Sequence, residues 1–535
     1  MKLQTVSLLL LSATALFPAS LIQPAIAPDG VMNAASYIPR GFANHGIARG
    51  SLFLIFGNYL GPSTLVQAGS FPLPGSDGLA GTNVRIDAGG YTGFAYMVYT
   101  SATQVGAILP SEAPEGDATL TLNYNNLTSN PVVIHIVRSA FGIFTLNQGG
   151  TGPAVVQNFV SQGQTPLNTL LTSATPGQTV ILWGTGLGPL SGGDAAGPAP
   201  GALPYLDSLY VGGQPASVRF AGRSGCCAGI DQVIFDVPAG VSGCYVPVVG
   251  LANGISSNFA TIAVSSGGAE CDDPLSFRAS SLALARNGSL RVGAIQLWQQ
   301  TPAGGSAGTD TLTASFLAYS PQTLVMAQAP VNPSAGSCYV TESPVNADPS
   351  ALPHGAGLNA GFSVLVSGPG ASLTAESLST GNYSTNMSPA GLSPGVYSIS
   401  GAGGADVGAL RGSVTVTAPV AWSNASDYTT SIVTTGQPMA FRWTGGDASG
   451  YVAIAMNSAS ASLSMSLVCN VPASLGSFTV PAYMTRSIVQ GQGAISVGSF
   501  TTQGSFSAPG LDVGLVTAGV SRVVQANFQT PPGTN

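Results

Sequence analysis

Residues 50–62, GSLFLIFGNYLGP, line up with residues 177–189, GQTVILWGTGLGP. The same alignment carries QVGAILP at 104–110 onto QVIFDVP at 232–238, and Ser129-Asn130 onto Ser257-Asn258, with the offset changing by one residue across the module. A correspondence sustained over this span marks an internal duplication, which must be settled before any fold is assigned. The first half is therefore read as two homologous modules, 28–138 and 139–266.

Within each module the apolar runs are short, rich in Val, Ile, Phe and Tyr, and bounded by Gly, Pro, Asn and Ser, as in TNVRIDA, ATLTLNY, PVVIHIVR and NFATIAV. Such runs read as strands. No segment sustains a capped helical period, and helix-favouring Lys and Glu are almost absent. About seven strands in roughly 100 residues is the size of an immunoglobulin-like sandwich. In both copies the Leu-Gly-Pro turn follows a strand. Its glycine suits a positive φ, and its proline cannot continue a central strand.

Asn33-Ala34-Ala35-Ser36-Tyr37, the two strand-plus-Leu-Gly-Pro segments, Phe141-Gly142-Ile143-Phe144 and the run GCCAGIDQVIFDVPAGVSGCYVPVVG ending near Ser257-Asn258 resemble an uncharacterised secreted-protein domain abundant in soil acidobacteria. That family is known as the Solibacter C-terminal domain type and is loosely similar to IPT/TIG immunoglobulin-like modules. The resemblance covers about residues 30–266. It implies an exported pair of β-sandwiches and brings no catalytic residues. In the usual layout the pair closes the protein. Here a comparable length follows, which weakens any role as a terminal sorting unit.

Beyond Ser265 the strand texture continues. Asn287-Gly288 separates SLALAR from SLRVGAIQLW and reads as a hairpin. A section at 267–342, bracketed by Cys271 and Cys338, would be followed by a small immunoglobulin-like sandwich at 343–419 and a C-terminal β-sandwich at 420–535. The expected fold class is all-β, with several immunoglobulin-like antiparallel β-sandwich domains in tandem. The Gly/Ser/Pro linkers favour flexible joints between them.

Residues 1–27 carry one basic residue, an apolar stretch and an Ala25-Ile26-Ala27 ending, the pattern of a secretory signal peptide. The apolar stretch is shorter than the ~20 residues of a membrane span, so the mature chain is expected to have none and to be secreted or held at the cell surface. In an oxidising compartment Cys226, Cys227, Cys244, Cys271 and Cys338 become disulfide candidates. Sequence proximity pairs Cys244 with Cys226 or Cys227, and Cys271 with Cys338. Cys469 and one of the adjacent pair are then left over.

The chain has 14 Lys plus Arg against 21 Asp plus Glu, and Lys2, within the leader, is its only lysine. Schiff-base and phosphate-loop chemistries that need lysine are excluded from the mature protein. Scattered, outnumbered arginines exclude the counterion-releasing patch of a nucleic-acid binder. Gly304-Gly305-Ser306-Ala307-Gly308 and Gly391-Leu392-Ser393-Pro394-Gly395 match the nucleophile-elbow pattern but lack a following helix. Gly184-Thr185-Gly186-Leu187-Gly188 is a turn rather than a dinucleotide loop.

His45, His135 and His354 are distant in sequence, which argues against a histidine zinc site. Asp194, Asp272-Asp273, Asp427 and Asp447 lack the alternation of a calcium loop. Glu112 and Glu115, the nearest thing to a glycosidase pair, have no acidic counterparts in the second module. No cofactor is expected. Trp183, Trp298 and Trp443 fall in strand patterns and are assigned to cores, whereas Trp422, in the polar stretch AWSNASDY, is the candidate exposed ring. The expectation is a non-catalytic adhesion or scaffold protein facing an unidentified protein or polysaccharide surface. Carbohydrate binding through exposed aromatics is the alternative and a secreted hydrolase the third reading.

Overall fold

The structure, a computed structural model, describes residues 23–531 apart from 286, 305–306, 327–331, 348–353, 386, 430–431 and 503. Nearly all regular structure is β. In the first module, alternation in strands such as TNVRIDA puts Val84 and Ile86 into a core and Asn83 and Arg85 outside it. Strands Ala25–Asn33, Leu52–Asn58, Gln104–Ile108, Tyr96–Thr100 and Val66–Gln67 form one sheet in that order. The second sheet runs Ile47–Ala48, Val132–Val137, Gly116–Tyr124, Thr82–Ala88 and Tyr91–Phe94.

The second module repeats this strand order, with Gly142–Ile143, Thr179–Thr185, Asp231–Asp236, Ser217–Arg223 and Gly201–Ala202 in the first sheet and one strand more, Val156–Asn158, paired with Thr179–Thr185. Its second sheet runs Gly152–Pro153, Ala260–Val264, Gly243–Ala252, Leu206–Val211 and Gln214–Pro215. The repeated Ser-Asn pair does the same work in both. The Leu122 and Gly250 amides donate to the Ser129 and Ser257 hydroxyls. Asn130 and Asn258 each bond both backbone groups of a first-strand isoleucine, Ile26 in one module and Ile143 in the other.

Residues 1–22 lie outside the described residues, but Ala25-Ile26-Ala27 belongs to a paired strand, and Ile26 is buried in the first core. A leader ending at 27 would remove it.

The second half departs further from the expected succession of domains. Asn287-Gly288 makes no hairpin, because Ala279–Leu284 is a 3-10 helix; its Leu282 joins a small core with Leu170, Cys271 and Phe277. Strands Leu290–Pro302, Thr309–Tyr319, Asn382–Ser384, Ala371–Ser379, Ser363–Gly368, Gly395–Gly401, Leu410–Val416, Gly504–Ser507 and Val513–Gln529 pair in that order. Parallel pairing of the first with the last, from Val292 opposite Val513 to Pro302 opposite Val523, closes them into a barrel. Leu297, Phe316, Val364, Tyr397 and Val516 fill it.

Val513–Gln529 then continues into a further sheet with Gly491–Phe500, Tyr451–Ala459, Leu463–Pro472 and Ser337–Pro344. A three-stranded sheet of Val420–Trp422, Met439–Gly445 and Ser477–Val480 completes that unit. The divisions at 342 and 419 therefore do not separate bodies: the chain passes back and forth between barrel and sandwich, and one strand serves both.

The cysteine pairing differs as well. The bonds are Cys226–Cys227, Cys244–Cys271 and Cys338–Cys469. Strand register, not nearness in sequence, decides the last, since Cys338 and Cys469 are direct partners on neighbouring strands. Nor are the joints loose. Ile38 and Phe42 of the first module and Val249 and Phe259 of the second enter the same core as Tyr339, Phe441 and Leu467 of the C-terminal sandwich. At its centre the Gly152 amide donates to Tyr339 Oη and the Tyr339 hydroxyl donates to the Phe259 carbonyl, both at 2.8 Å. No helix among the described residues is long and apolar enough to cross a membrane.

Candidate functional site

Each of the two duplicated sheets sets an aromatic residue opposite a glutamine. In the second module Val180 and Leu182 point into the core, so their neighbours Ile181 and Trp183 point outward. Register places Ile181 opposite Ile234 and Trp183 opposite Gln232, and Ile234 opposite Phe220 on the next strand. Trp183, half-buried, donates its indole N–H to Gln157 Oε1 at 3.0 Å. The result is a strip of Trp183, Ile181, Ile234 and Phe220 with the amides of Gln157 and Gln232 beside Trp183 and the Arg219–Asp236 ion pair at its other end.

In the first module Phe56 stands opposite Gln104, whose Nε2 donates to Tyr99 Oη at 2.9 Å, and Tyr37 lies 6.5 Å from Phe56. Burial pushes the Tyr99 hydroxyl up to about 12, so it remains a neutral donor and acceptor across the physiological range.

A second cluster lies at the edge of the first module. Parallel pairing of Ile47–Ala48 with Val132–Val137 brings His45 and His135 together, their rings stacked at 6.3 Å. His135 Nδ1 lies 2.8 Å from Asp117 Oδ1, and His45 Nδ1 lies 2.6 Å from the Phe42 carbonyl. Asp29 and Arg40 line the same groove. Sequence separation concealed this meeting of two of the three histidines. No group of three or more His, Cys, Asp or Glu side chains among the described residues is arranged to hold a metal ion.

The Gly184–Gly188 turn is held by a buried ion pair. Arg223 Nη1 donates to Asp231 Oδ1 at 2.6 Å and Nη2 to the Gly188 carbonyl, while Asp231 Oδ2 accepts the Leu187 amide. Burial pushes the Asp231 carboxyl up, to about 6, against the pull of Arg223 and the turn amides. Asp194 accepts from the amide and hydroxyl of Ser111, tying the second module's loop to the first.

The candidate exposed ring, Trp422, is a correction: it is 6% exposed. Its indole N–H donates to Asn424 Oδ1, and its ring packs 5.8 Å from Tyr428 and 6.0 Å from Phe441. The polar neighbours in AWSNASDY satisfy one another, since Asn424 Nδ2 also donates to Asp427, leaving the ring free to be buried. Trp443 is also buried, but Trp183, assigned to a core, faces outward.

Of the remaining motifs, Ser306 lies outside the described residues, and Ser393 sits in a loop where its amide donates to Tyr397 Oη. Glu115 joins Arg49 and Arg138, and Glu112 accepts from Tyr96 Oη. Asp447 caps Ser449 and Asp273 accepts the Cys244 and Leu275 amides.

No family model and no curated protein matches the chain. Solved structures similar to it include the SGBP-B protein of the Bacteroides ovatus mixed-linkage glucan utilization locus, in complex with a mixed-linkage heptasaccharide. That match has 12% identity over 95% of this chain and 96% of the other, with a TM-score of 0.17. A tetra-tandem repeat from the extending region of a large adhesion protein matches with 12% identity over 92% and 98% and a TM-score of 0.13. Domains 5–6 of the S-layer protein SbsC match with 13% identity over 45% and 98% and a TM-score of 0.16.

Proposed function

We propose that this chain is an exported, non-catalytic scaffold or adhesion protein of the cell surface or extracellular space, whose duplicated first half is an immunoglobulin-like pair of the acidobacterial secreted type. The observation that carries this reading is the shared core. Side chains of three β units interlock around Tyr339, which suits a body that holds surfaces at fixed separation. Three disulfides consuming all six cysteines support an oxidising compartment. Fractionation of cells expressing the full chain, with thiol labelling, tests it: the oxidised protein belongs in the envelope or medium. Recovery in the cytoplasm with free thiols would overturn the reading.

A second reading, binding of a neutral polysaccharide, is favoured by the Trp183 strip. An aromatic face beside uncharged amides offers stacking for sugar C–H faces and hydrogen bonds for hydroxyls. Pull-down of the full exported protein on an insoluble polysaccharide panel, with Trp183→Ala as control, decides it. Retention by one polymer that the variant loses supports binding. Passage through every polymer removes it and leaves the scaffold role.

A further inference from the structure

Cys226 and Cys227 are bonded to each other across a single peptide. Both are exposed, in the loop between strands Ser217–Arg223 and Asp231–Asp236. The other bridges are enclosed: Cys244 and Cys271 are 2% and 1% exposed, and Cys338 and Cys469 are 1% and 0%.

The same loop forms part of the joint between the two duplicated sandwiches. Gly229, at φ +71°, lies so close to the first sandwich that a Cβ there would stand 2.9 Å from Ile108 Cγ1. The Gly229 carbonyl accepts the Thr185 hydroxyl at 2.6 Å, and Thr185 Oγ1 in turn accepts the Leu52 amide of the first sandwich at 2.9 Å. Within the loop, the Ser224 hydroxyl and the Ile230 amide both donate to the Cys227 carbonyl. The ring closed by the two cysteines thus fixes the approach to Gly229 from two residues away.

We propose that Cys226–Cys227 is a thiol–disulfide exchange site open to a small dithiol, and that its reduction loosens the hold of the second sandwich on the first at Leu52. A thiolate of the dithiol attacks one cysteine sulfur, the Cys226–Cys227 bond breaks, and a mixed disulfide forms while the other cysteine leaves as a thiolate and takes a proton. The reagent's second thiol then displaces the remaining cysteine. Two electrons and two protons pass to the protein, and the reagent becomes a cyclic disulfide. Access selects this bond over the other two. Opening the ring frees the peptide that positions the Cys227 carbonyl, and with it the Gly229–Thr185–Leu52 chain of hydrogen bonds.

The experiment is a dithiothreitol titration of the folded full chain, with alkylation mapped by mass spectrometry and hydrogen exchange followed by peptide. Cys226 and Cys227 are expected to be modified about tenfold or more faster than the other four cysteines, with faster exchange at 51–56 and 184–188. The Cys226→Ser/Cys227→Ser variant should show the faster exchange without reductant and no further change with it. Co-reduction of all three bridges, resistance of Cys226–Cys227, or unchanged exchange at Leu52 in both the reduced protein and the variant would overturn the proposal.

Discussion

Replacing Tyr339 by phenylalanine removes one oxygen and leaves no cavity, yet it strikes the point where two units are joined. Tyr339 is 3% exposed and its ring meets Phe259 edge-on at 6.2 Å, a contact the variant keeps. What it loses is the hydroxyl that accepts the Gly152 amide and donates to the Phe259 carbonyl. Each buried backbone group left without a partner costs about 1–3 kcal/mol, so the pair together should cost about 2–6 kcal/mol. At 1.4 kcal/mol per decade, exchange at the Gly152 amide should accelerate by roughly 30- to 20,000-fold.

Tyr383→Phe supplies the control, because Tyr383 Oη accepts the Ala360 amide and donates to the Gly361 carbonyl wholly inside the barrel. Urea denaturation should show both variants destabilised, whereas exchange at Gly152 and Phe259–Ala260 should rise only in Tyr339→Phe. A loss below about 0.5 kcal/mol, or equal acceleration in both variants, would refute the claim that this hydroxyl couples the second sandwich to the C-terminal one.

Three further outcomes can be checked. Arg223→Met strands Asp231 without its cation and should cost about 3–5 kcal/mol; adding Asp231→Leu should recover about 1–2 kcal/mol of it, the remainder belonging to the Leu187 amide and the Gly188 carbonyl left without partners, and a double variant no better than the single would sink the account. The bridge across 131 residues should be worth about 5 kcal/mol and the one across 27 about 3–4 kcal/mol, so chemical denaturation should rank Cys338→Ala/Cys469→Ala below Cys244→Ala/Cys271→Ala; the reverse order would contradict the loop-entropy argument. Burial raises the Glu342 carboxyl to about 7, opposed by its bond to Ser487. As pH rises from about 4.5 to 7 the unfolded chain ionises first, so stability should fall by on the order of 1–3 kcal/mol, and parallel curves for wild type and Glu342→Gln would remove Glu342 as the cause.

The β class and the duplication were legible because both are written in short-range pattern: TNVRIDA alternates, and Ser-Asn recurs with its hydrogen bonds intact. What the pattern could not carry was direction and distance. In TVILW every residue after the threonine is apolar, so nothing local says that Val180 and Leu182 rather than Ile181 and Trp183 face the core; the glutamine opposite Trp183 on the neighbouring strand was the available signal. Trp422 misled for the opposite reason, since polar flanks that satisfy each other do not report exposure. Cys338–Cys469 and the closure of Leu290–Pro302 on Val513–Gln529 depend on register between remote segments. So does the meeting of His45 with His135.

The double duty of Val513–Gln529 sets the timing of assembly. The strands of each duplicated sandwich all come from one continuous stretch, so each can close soon after it is made. The barrel cannot: the Arg291 amide waits for Asp512, 221 residues later in the chain, and Gly491–Phe500 waits for the same closing strand. Until that strand arrives, two half-built cores stand open with unpaired edges, the state in which slow, long-range β topologies are most exposed to aggregation. A chain growing from its N-terminus therefore carries two sandwiches with all their strands paired and two bodies still open, and a single late segment completes both of the latter at once.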